Sequence, residues 1–361
     1  MRNIAFAQAV TPYRLDFYND LCDCMGFDVY YIFHSYADQL FSSDEQRTGC
    51  HHTPTYLKSV SIFGHKCKVG ISRIIRKSNP CVVIVPEFSF ITVRLLLIRL
   101  FSRNKFRIIS QCDDSYEMVI GDGFTFAHKL ARKICMPLLD DVILVDPKVV
   151  DWYKMRYGKG IWMPIIRDEK KYPDYDSMRK LSCRHREQYG LDGCLSILFV
   201  GRLTAVKNLP VLIKACAELD VPYKLIIVGD GPMRLELENL SMALGVNAIY
   251  TGAMTGDELL AFYFACDLFV LPSILEPFGA VTNEALLSGC PCCVSDHAGS
   301  SCLLDGTNGF TFDPESVPEL VAAIKKASTL PRPENRRPLM PIQYSECLSK
   351  LADSLSIHRE S

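Results

Sequence analysis

The sequence predicts an α/β protein made of two doubly wound, parallel-sheet domains. Three observations carry this. Short, nearly continuous apolar runs alternate with helical stretches through both halves, as strands buried on both faces and joined by crossover helices require. A polar, charged stretch, RDEKKYPDYDSMRKLSCRHREQYG, separates the two alternating series. The 361 residues, 48% hydrophobic and 22% charged with both signs mixed, are enough for two cores and exclude a disordered chain.

In the first half the expected strands are 3–9, 28–33, 81–85, 106–110 and 141–145. Helical candidates between them span 13–25, 91–102 and 125–138. Residues 1–165 form the first expected domain, 166–190 a linker ending in a short helix, and 191–335 the second domain. In the second half the order is LSILFVG, a helix over 209–219, KLIIVGDG, a helix to Leu244, AIYTG, a helix to Cys266, LFVLPS, a helix to Ser288 and PCCVSD. LPRPENRRP reads as a Pro-rich turn, and 342–357 as a last helix that packs back on the first domain. Two such units in tandem are expected to face each other across a cleft at the carboxyl ends of their strands, where open α/β sheets bind ligands.

Composition narrows the function classes. The 16 cysteines are scattered through apolar runs, and MRNIAFAQAV lacks the pattern of a signal peptide, so a reducing, cytoplasmic setting is expected. Cys290, Cys292 and Cys293 do not have zinc-knuckle spacing, and no metal site is expected. Residues 1–180 carry 26 Lys+Arg and 20 Asp+Glu, whereas 181–361 carry 14 and 21. That asymmetry fits an anionic surface or substrate, or a chance spread of solvated charge. Nucleic acid is not an expected partner, because no basic stripe with interleaved stacking aromatics appears.

The segment EPFGAVTNEALLSGCPCCVSDHAGSSCLLDGTNGFTFDP concentrates the chemistry. Glu276 follows a strand in a turn imposed by Pro277 and Gly279, and Glu284 lies about one turn into the next helix. The amides of Phe278, Gly279 and Ala280 then sit at a helix N-terminus, where an anion is favoured, and Gly279 allows close approach. Carboxylates for hydroxyls beside amides for phosphate suit a nucleotide sugar. Arg202 and Lys207, just past strand 195–200, add cations that stabilise a departing diphosphate. Gly229 and Gly231 flank Asp230 in a tight turn at the same sheet edge.

Taken together, Gly201-Arg202-(x)4-Lys207-Asn208, Val228-Gly229-Asp230-Gly231-Pro232, Glu276-Pro277-Phe278-Gly279-(x)4-Glu284-Ala285, and Ala298-Gly299 with Asn308-Gly309 resemble family 4 (group 1) glycosyltransferases of the GT-B architecture, with two Rossmann-like domains. The resemblance covers about residues 195–315 and implies a retaining transferase using a nucleoside-diphosphate sugar, with no obligatory metal. It implies that Arg202 and Lys207 hold the diphosphate. Glu284 would take the ribose hydroxyls, and Glu276 with the amides of Phe278 and Gly279 the donor sugar. The implied mechanism is front-face displacement, in which the leaving phosphate helps deprotonate the acceptor and domain closure excludes water. The two glutamates are therefore not the acid and nucleophile of a retaining glycosidase.

The first half resembles the family less. Thr11-Pro12-Tyr13-Arg14 stands where a glycine-rich loop is usual, as in polysaccharide-assembly enzymes. Gln111-Cys112-Asp113-Asp114-Ser115 stands where many relatives have a His-containing acceptor motif, so Asp113 or Asp114 is the acceptor-side catalytic candidate. The expected acceptor is a glycan or lipid-linked glycan used in cell-surface polysaccharide synthesis. A nucleotide-sugar epimerase or hydrolase, or a silent sugar-nucleotide-binding protein, remains an alternative.

Several features have two readings. Asp174-Tyr175-Asp176 matches a metal-binding Asp-x-Asp but lies in the polar stretch. Cys50, His51 and His52 could be a metal cluster or a solvated loop, and His297 could line the cleft or be structural. Tyr13 and Arg14 could touch the acceptor or cap a strand. The basic, apolar ITVRLLLIRLFSRNKFR, with GISRIIRKSN before it, fits peripheral contact with an anionic membrane, at the inner face of the membrane, or an ordinary crossover helix. It is too short and too interrupted by arginine to span a bilayer.

Overall fold

A computed structural model describes residues 2–34, 49–62, 65–103, 105–121, 123–330 and 336–356. The described residues divide into two compact units, one drawn from 1–114, 118–165 and 345 onward, the other from 115–117 and 166–344.

The first unit contains β1 (Asn3–Ala7), α1 (Leu15–Asp23), β2 (Phe27–Tyr31), β3 (Thr55–Tyr56), β4 (Ser59–Ile62), β5 (His65–Lys68), α2 (Ile71–Ser78), β6 (Val82–Pro86), α3 (Phe90–Phe101), β7 (Arg107–Cys112), the last three residues of α4 (Tyr116–Ile120), α5 (Phe126–Cys135), β8 (Asp141–Leu144), α6 (Pro147–Tyr157) and β9 (Ile161–Trp162). Seven strands form one parallel sheet in the order β3-β2-β1-β6-β7-β8-β9, while β4 and β5 pair as an antiparallel hairpin. The central strands are apolar on both faces: all five residues of β6 are buried. Such strands survive only between two helical layers.

The second unit contains α7 (Tyr175–Tyr189), β10 (Leu195–Val200), α8 (Leu209–Ala217), β11 (Tyr223–Val228), α9 (Arg234–Ala243), β12 (Ala248–Gly252), α10 (Gly256–Ala265), β13 (Leu268–Leu271), α11 (Ala280–Leu287), β14 (Cys292–Ser295), β15 (Gly309–Phe312) and α12 (Val317–Ser328). Its six parallel strands run β12-β11-β10-β13-β14-β15. Strand order reverses between β10 and β13, and between β1 and β6 in the first unit. At such a reversal, neighbouring crossovers leave on opposite faces and open a crevice at the strands' carboxyl ends. The α/β fold and the parallel sheets expected from the apolar alternation are present in both units.

The last helix, α13 (Tyr344–Leu355), begins two residues later than the span 342–357, whose last residue lies outside the described set. Within the first unit, Arg107 donates to the carbonyl of Leu355 at 3.1 Å.

The polar stretch 166–190 differs most from its reading as a linker. Fifteen of its residues form α7, longer than the short helix expected, and they belong to the second unit. Asp174 caps this helix by accepting from the Ser177 amide at 2.9 Å, and Gly190 ends it with φ +58°. Buried Met178 and His185 face α10, where His185 packs 4.3 Å from the Phe262 ring. A single apolar stripe is enough to seat a helix whose other faces are charged. Asp174 of the Asp-x-Asp sequence therefore works as a cap.

Candidate functional site

In the second unit, the loops after β10 and β13 meet at the strand-order reversal. Lys207 follows β10 in a 3-10 turn over Ala205–Lys207, and its Nζ is ion-paired with Glu276 Oε2. Both side chains are largely shielded, at 19% and 14% exposure, so salt screens their attraction less than that of a solvated pair. Main-chain contacts fix both partners. Ile274 donates to the Val206 carbonyl at 2.9 Å, and Gly299 donates to that of Glu276 at 3.2 Å. The Ser273 hydroxyl donates to the same Glu276 oxygen at 3.5 Å.

Gly279 precedes α11 with φ +92°, a conformation that costs a residue with a Cβ about 1 kcal/mol or more. A Cβ there would also lie 2.6 Å from Leu271 and 3.3 Å from Glu276 Cγ. The amides of Phe278, Gly279 and Ala280 open the helix, as expected, and have no main-chain acceptor among the described residues. They are donors positioned for an anion.

Glu284 lies on the next turn of α11, facing inward. Its Oε2 accepts from the Tyr263 hydroxyl at 3.2 Å, and its Oε1 lies 3.7 Å from Arg167. Burial pushes the carboxyl above its ordinary range, while Arg167 and the Tyr263 hydrogen bond pull it down. Arg167 is held by its own amide, which donates to the buried Asn283 side chain at 2.8 Å. Arg167, Tyr263 and Ser273 were not singled out by sequence reasoning. Arg167 lies in the stretch expected to be a linker, and Tyr263 within the helix expected to end at Cys266.

Arg202 is exposed, two residues past the end of β10. Its position depends on two glycines. A Cβ on Gly229 would stand 1.9 Å from the Gly201 carbonyl oxygen, and one on Gly231 would stand 2.5 Å from that of Leu203. The turn 229–231 therefore lies against the 201–203 loop, with Leu203 donating to the Asp230 carbonyl at 2.9 Å. Gly229 and Gly231 pack the loops that carry Arg202. Gly309 likewise passes close to Cys292, and Asn308 bonds the Leu303 carbonyl at 2.8 Å.

The first unit carries a separate polar pocket at the carboxyl ends of β1, β6 and β7. Gln8, Thr11, Tyr13, Arg14, Glu87 and Asp113 contribute to it. Arg14 is buried and ion-paired with Asp113; burial disfavours the guanidinium, but Asp113 together with Tyr18 and Tyr13 raises it above its ordinary value. Asp113 remains 41% exposed. Asp114 turns the other way, buried between Arg132 at 2.8 Å and the Tyr153 hydroxyl at 2.6 Å. The structure therefore separates the two aspartates: Asp113 lines the pocket and Asp114 is part of the interior. Tyr13 and Arg14 both line this pocket.

Glu87 was not singled out either. It follows β6 with φ +51°, a strained conformation for glutamate. Gln8 donates to its carboxylate at 3.3 Å. Burial and then the charges of Asp113 and Asp114 raise its carboxyl above the ordinary range. Thr11 Oγ1 is buried in the same pocket with no partner among the described residues. The proline before Glu87 was the only local signal.

The remaining features each have local partners. His51 contacts Asp23 at 2.6 Å, and His52 stacks on Tyr31, so the loop 50–52 is anchored rather than merely solvated. His297 Nδ1 lies 3.2 Å from the Ile274 carbonyl. Burial pushes the thiols of Cys292 and Cys293 up. Among the described residues, no group of three or more His, Cys, Asp or Glu is arranged to hold a metal ion. No described helix is long and apolar enough to cross a membrane.

Two reversed parallel sheets, with a cation–carboxylate pair and a helix N-terminus at one reversal, define the GT-B class. The lipopolysaccharide outer core galactosyltransferase WaaB superimposes with TM-score 0.72 at 16% identity, covering 98% of this chain and 99% of that one. Anabaena Alr3699/HepE in complex with UDP superimposes with TM-score 0.74 at 18% identity, covering 99% and 100%.

The family follows from sequence: residues 184–339 match the model described as "Glycosyl transferases group 1", and this segment is a group 1 glycosyltransferase domain. The alpha-D-kanosaminyltransferase of Streptomyces kanamyceticus is 35% identical over 208 residues, 54% of this chain and 53% of that protein. A GDP-mannose-dependent alpha-mannosyltransferase of Corynebacterium glutamicum is 35% identical over 147 residues, 40% and 34% of the two chains. The alignments thus span about half of the first of these relatives and a third of the second.

Proposed function

We propose that the protein is a retaining glycosyltransferase of the EC 2.4 class. It would move a sugar from a nucleoside-diphosphate donor to a hydroxyl of a glycan or lipid-linked glycan, in cytoplasmic synthesis of a cell-surface polysaccharide. The observation that carries the reading is the Lys207–Glu276 pair beside the amides of Phe278, Gly279 and Ala280.

In this reading the pair is a resting arrangement. An arriving diphosphate takes Lys207 and Arg202 as counter-ions and the amides as donors, and Glu276 turns its released oxygens to the sugar hydroxyls. Glu284, held by Tyr263 and Arg167, takes the ribose hydroxyls. As the bond to the leaving phosphate lengthens, negative charge grows there, and fixed cations lower that barrier more than they stabilise the ground state. Glu284 is occupied by ribose and cannot attack the sugar, which supports front-face displacement. The acceptor hydroxyl then gives its proton to the leaving phosphate. Residues 1–165 form the acceptor-side domain, where Asp113 and Glu87 are the carboxylates available to acceptor hydroxyls. Residues 191–335 form the donor domain, and no metal is obligatory.

Purified protein would be screened by thermal shift against UDP-, GDP-, ADP- and TDP-sugars, then incubated with the stabilising donor and candidate glycans. Acceptor-dependent release of nucleoside diphosphate, with the donor's anomeric configuration kept in the product, is expected. An epimerised or hydrolysed donor without acceptor would identify the non-transferring alternative. Binding with no turnover would identify a silent protein.

A further inference from the structure

Helices α3 and α5 of the first unit carry more apolar surface than their core contacts use. Ile91, Thr92 and Leu95 of α3 face the core, as do Arg132 and Cys135 of α5. On the outward side stand Phe90, Leu97, Leu100 and Phe101, with Phe126, Leu130, Ile134 and Leu138. These eight are nearly half of the eighteen exposed large apolar side chains among the described residues.

They form two stripes. Phe126, Leu130, Ile134 and Leu138 recur every four residues, and Phe90, Leu97 and Phe101 share one face of α3. The helices are neighbours: they follow β6 and β7 as successive crossovers in one direction, which places both on the same sheet face. Arg99 of α3 also bonds the carbonyl of Leu138, in the turn three residues past α5. A concentrated exposed apolar surface is unusual in a soluble monomer and marks an interaction site.

The surrounding charge indicates the partner. α2, α3 and α5 contain no Asp or Glu. Arg73, Arg76, Lys77, Arg103 and Lys133 are exposed on or beside them. The three phenylalanines protrude furthest, at 73%, 83% and 80% exposure for Phe90, Phe101 and Phe126, and exposed Arg103 stands two residues from Phe101. Ile75, Arg76, Leu97, Phe101 and Arg103 line a groove between α2 and α3. Aromatic and aliphatic side chains bordered by long cations match the acyl–headgroup boundary of an anionic bilayer. There the rings enter the boundary while the cations reach lipid phosphates.

We infer that the α2–α3–α5 face docks this protein on the surface of an anionic lipid bilayer. The inference goes beyond glycosyl transfer and does not depend on it. The full chain would be sedimented with phosphatidylcholine vesicles, with and without phosphatidylglycerol. Binding at least about tenfold tighter to the anionic vesicles is expected, weakening as salt is raised. Phe126→Ser combined with Leu130→Ser and Ile134→Ser should reduce that binding by about tenfold or more, while a thermal melt still shows a cooperative folded state, because the three side chains are 80%, 47% and 53% exposed. Arg76→Glu with Arg103→Glu and Lys133→Glu should remove the preference for anionic lipid. Failure of the unmodified protein to bind either vesicle overturns the inference without any variant, as does retained binding by both variants. A dimer in solution that the Phe126→Ser variant dissociates would instead assign the face to a second copy of the chain.

Discussion

Lys207 and Glu276, 69 residues apart in the chain, are ion-paired where the loops after β10 and β13 meet. The pair occupies the strand-order reversal of the second unit, next to the open N-terminus of α11. Cation and carboxylate hold each other in place and leave the three amides to an anion.

Glu276→Ala should therefore separate binding from turnover. Transfer is expected to fall about a hundredfold or more, with little change in the thermal melt. Nucleoside diphosphate affinity should hold or rise, because Lys207 loses its competing carboxylate. Calorimetry and a turnover assay on the purified variant check both halves. Normal turnover would remove Glu276 from the reaction.

Arg202→Ala should weaken nucleoside diphosphate binding by about tenfold, or about 1.4 kcal/mol, the loss of one charge-assisted contact. The wild-type advantage should shrink at high ionic strength, since Arg202 is exposed. Unchanged affinity by calorimetry would place the phosphate elsewhere.

The two neighbouring aspartates should respond differently. Asp114→Ala leaves Arg132 buried without its counter-ion and is expected to cost about 3–5 kcal/mol in chemical denaturation. Asp113→Asn keeps a hydrogen-bonding group beside Arg14 and should cost about 1 kcal/mol, while lowering transfer to an acceptor. Equal destabilisation by the two would contradict their different burial.

Gly229→Ala tests the loop packing. The new Cβ would need the space of the Gly201 carbonyl, and relief by backbone movement should cost about 2–3 kcal/mol, visible as a lower melting temperature. Nucleoside diphosphate affinity should drop as well, because the displaced loop carries Arg202.

Glu87 should have a pH signature. The folded protein holds the Glu87 proton more tightly than the unfolded chain does, because burial and the two aspartates raise its carboxyl. Above the ordinary carboxylate range this group therefore opposes folding, and stability falls as pH rises toward its raised value. Glu87→Gln cannot lose that proton. Its melting temperature should exceed the wild type's at neutral pH, and the gap should close as pH drops below the ordinary carboxylate range. A constant gap across that range would show that Glu87 does not titrate as its surroundings demand.

Much of the fold is legible along the chain because a strand buried on both faces must be apolar throughout. Val82–Pro86 and Leu195–Val200 announce themselves in this way. The turn chemistry of the second unit is equally local: Gly279 must adopt positive φ, and Glu276 and Glu284 are placed by the strand and helix around it. Helix α7 was less legible. Its stripe of Tyr175, Met178 and His185 is sparse among charges, and only packing against α10 shows that it belongs to the second unit. Arg167 was hidden for the same reason.

The sequence by itself determined two parallel α/β units, and the positions of Arg202, Lys207, Glu276 and Glu284 at strand ends and a helix start, because apolar periodicity and turn residues act over a few neighbours. Tertiary structure decided that Lys207 neutralises Glu276, that Arg167 and Tyr263 hold Glu284, and that Asp113 is open while Asp114 is enclosed. It also decided which faces of α3 and α5 stay in water. Those outcomes depend on distances between residues far apart in the chain, and close-packing sets such distances only once both sheets are assembled.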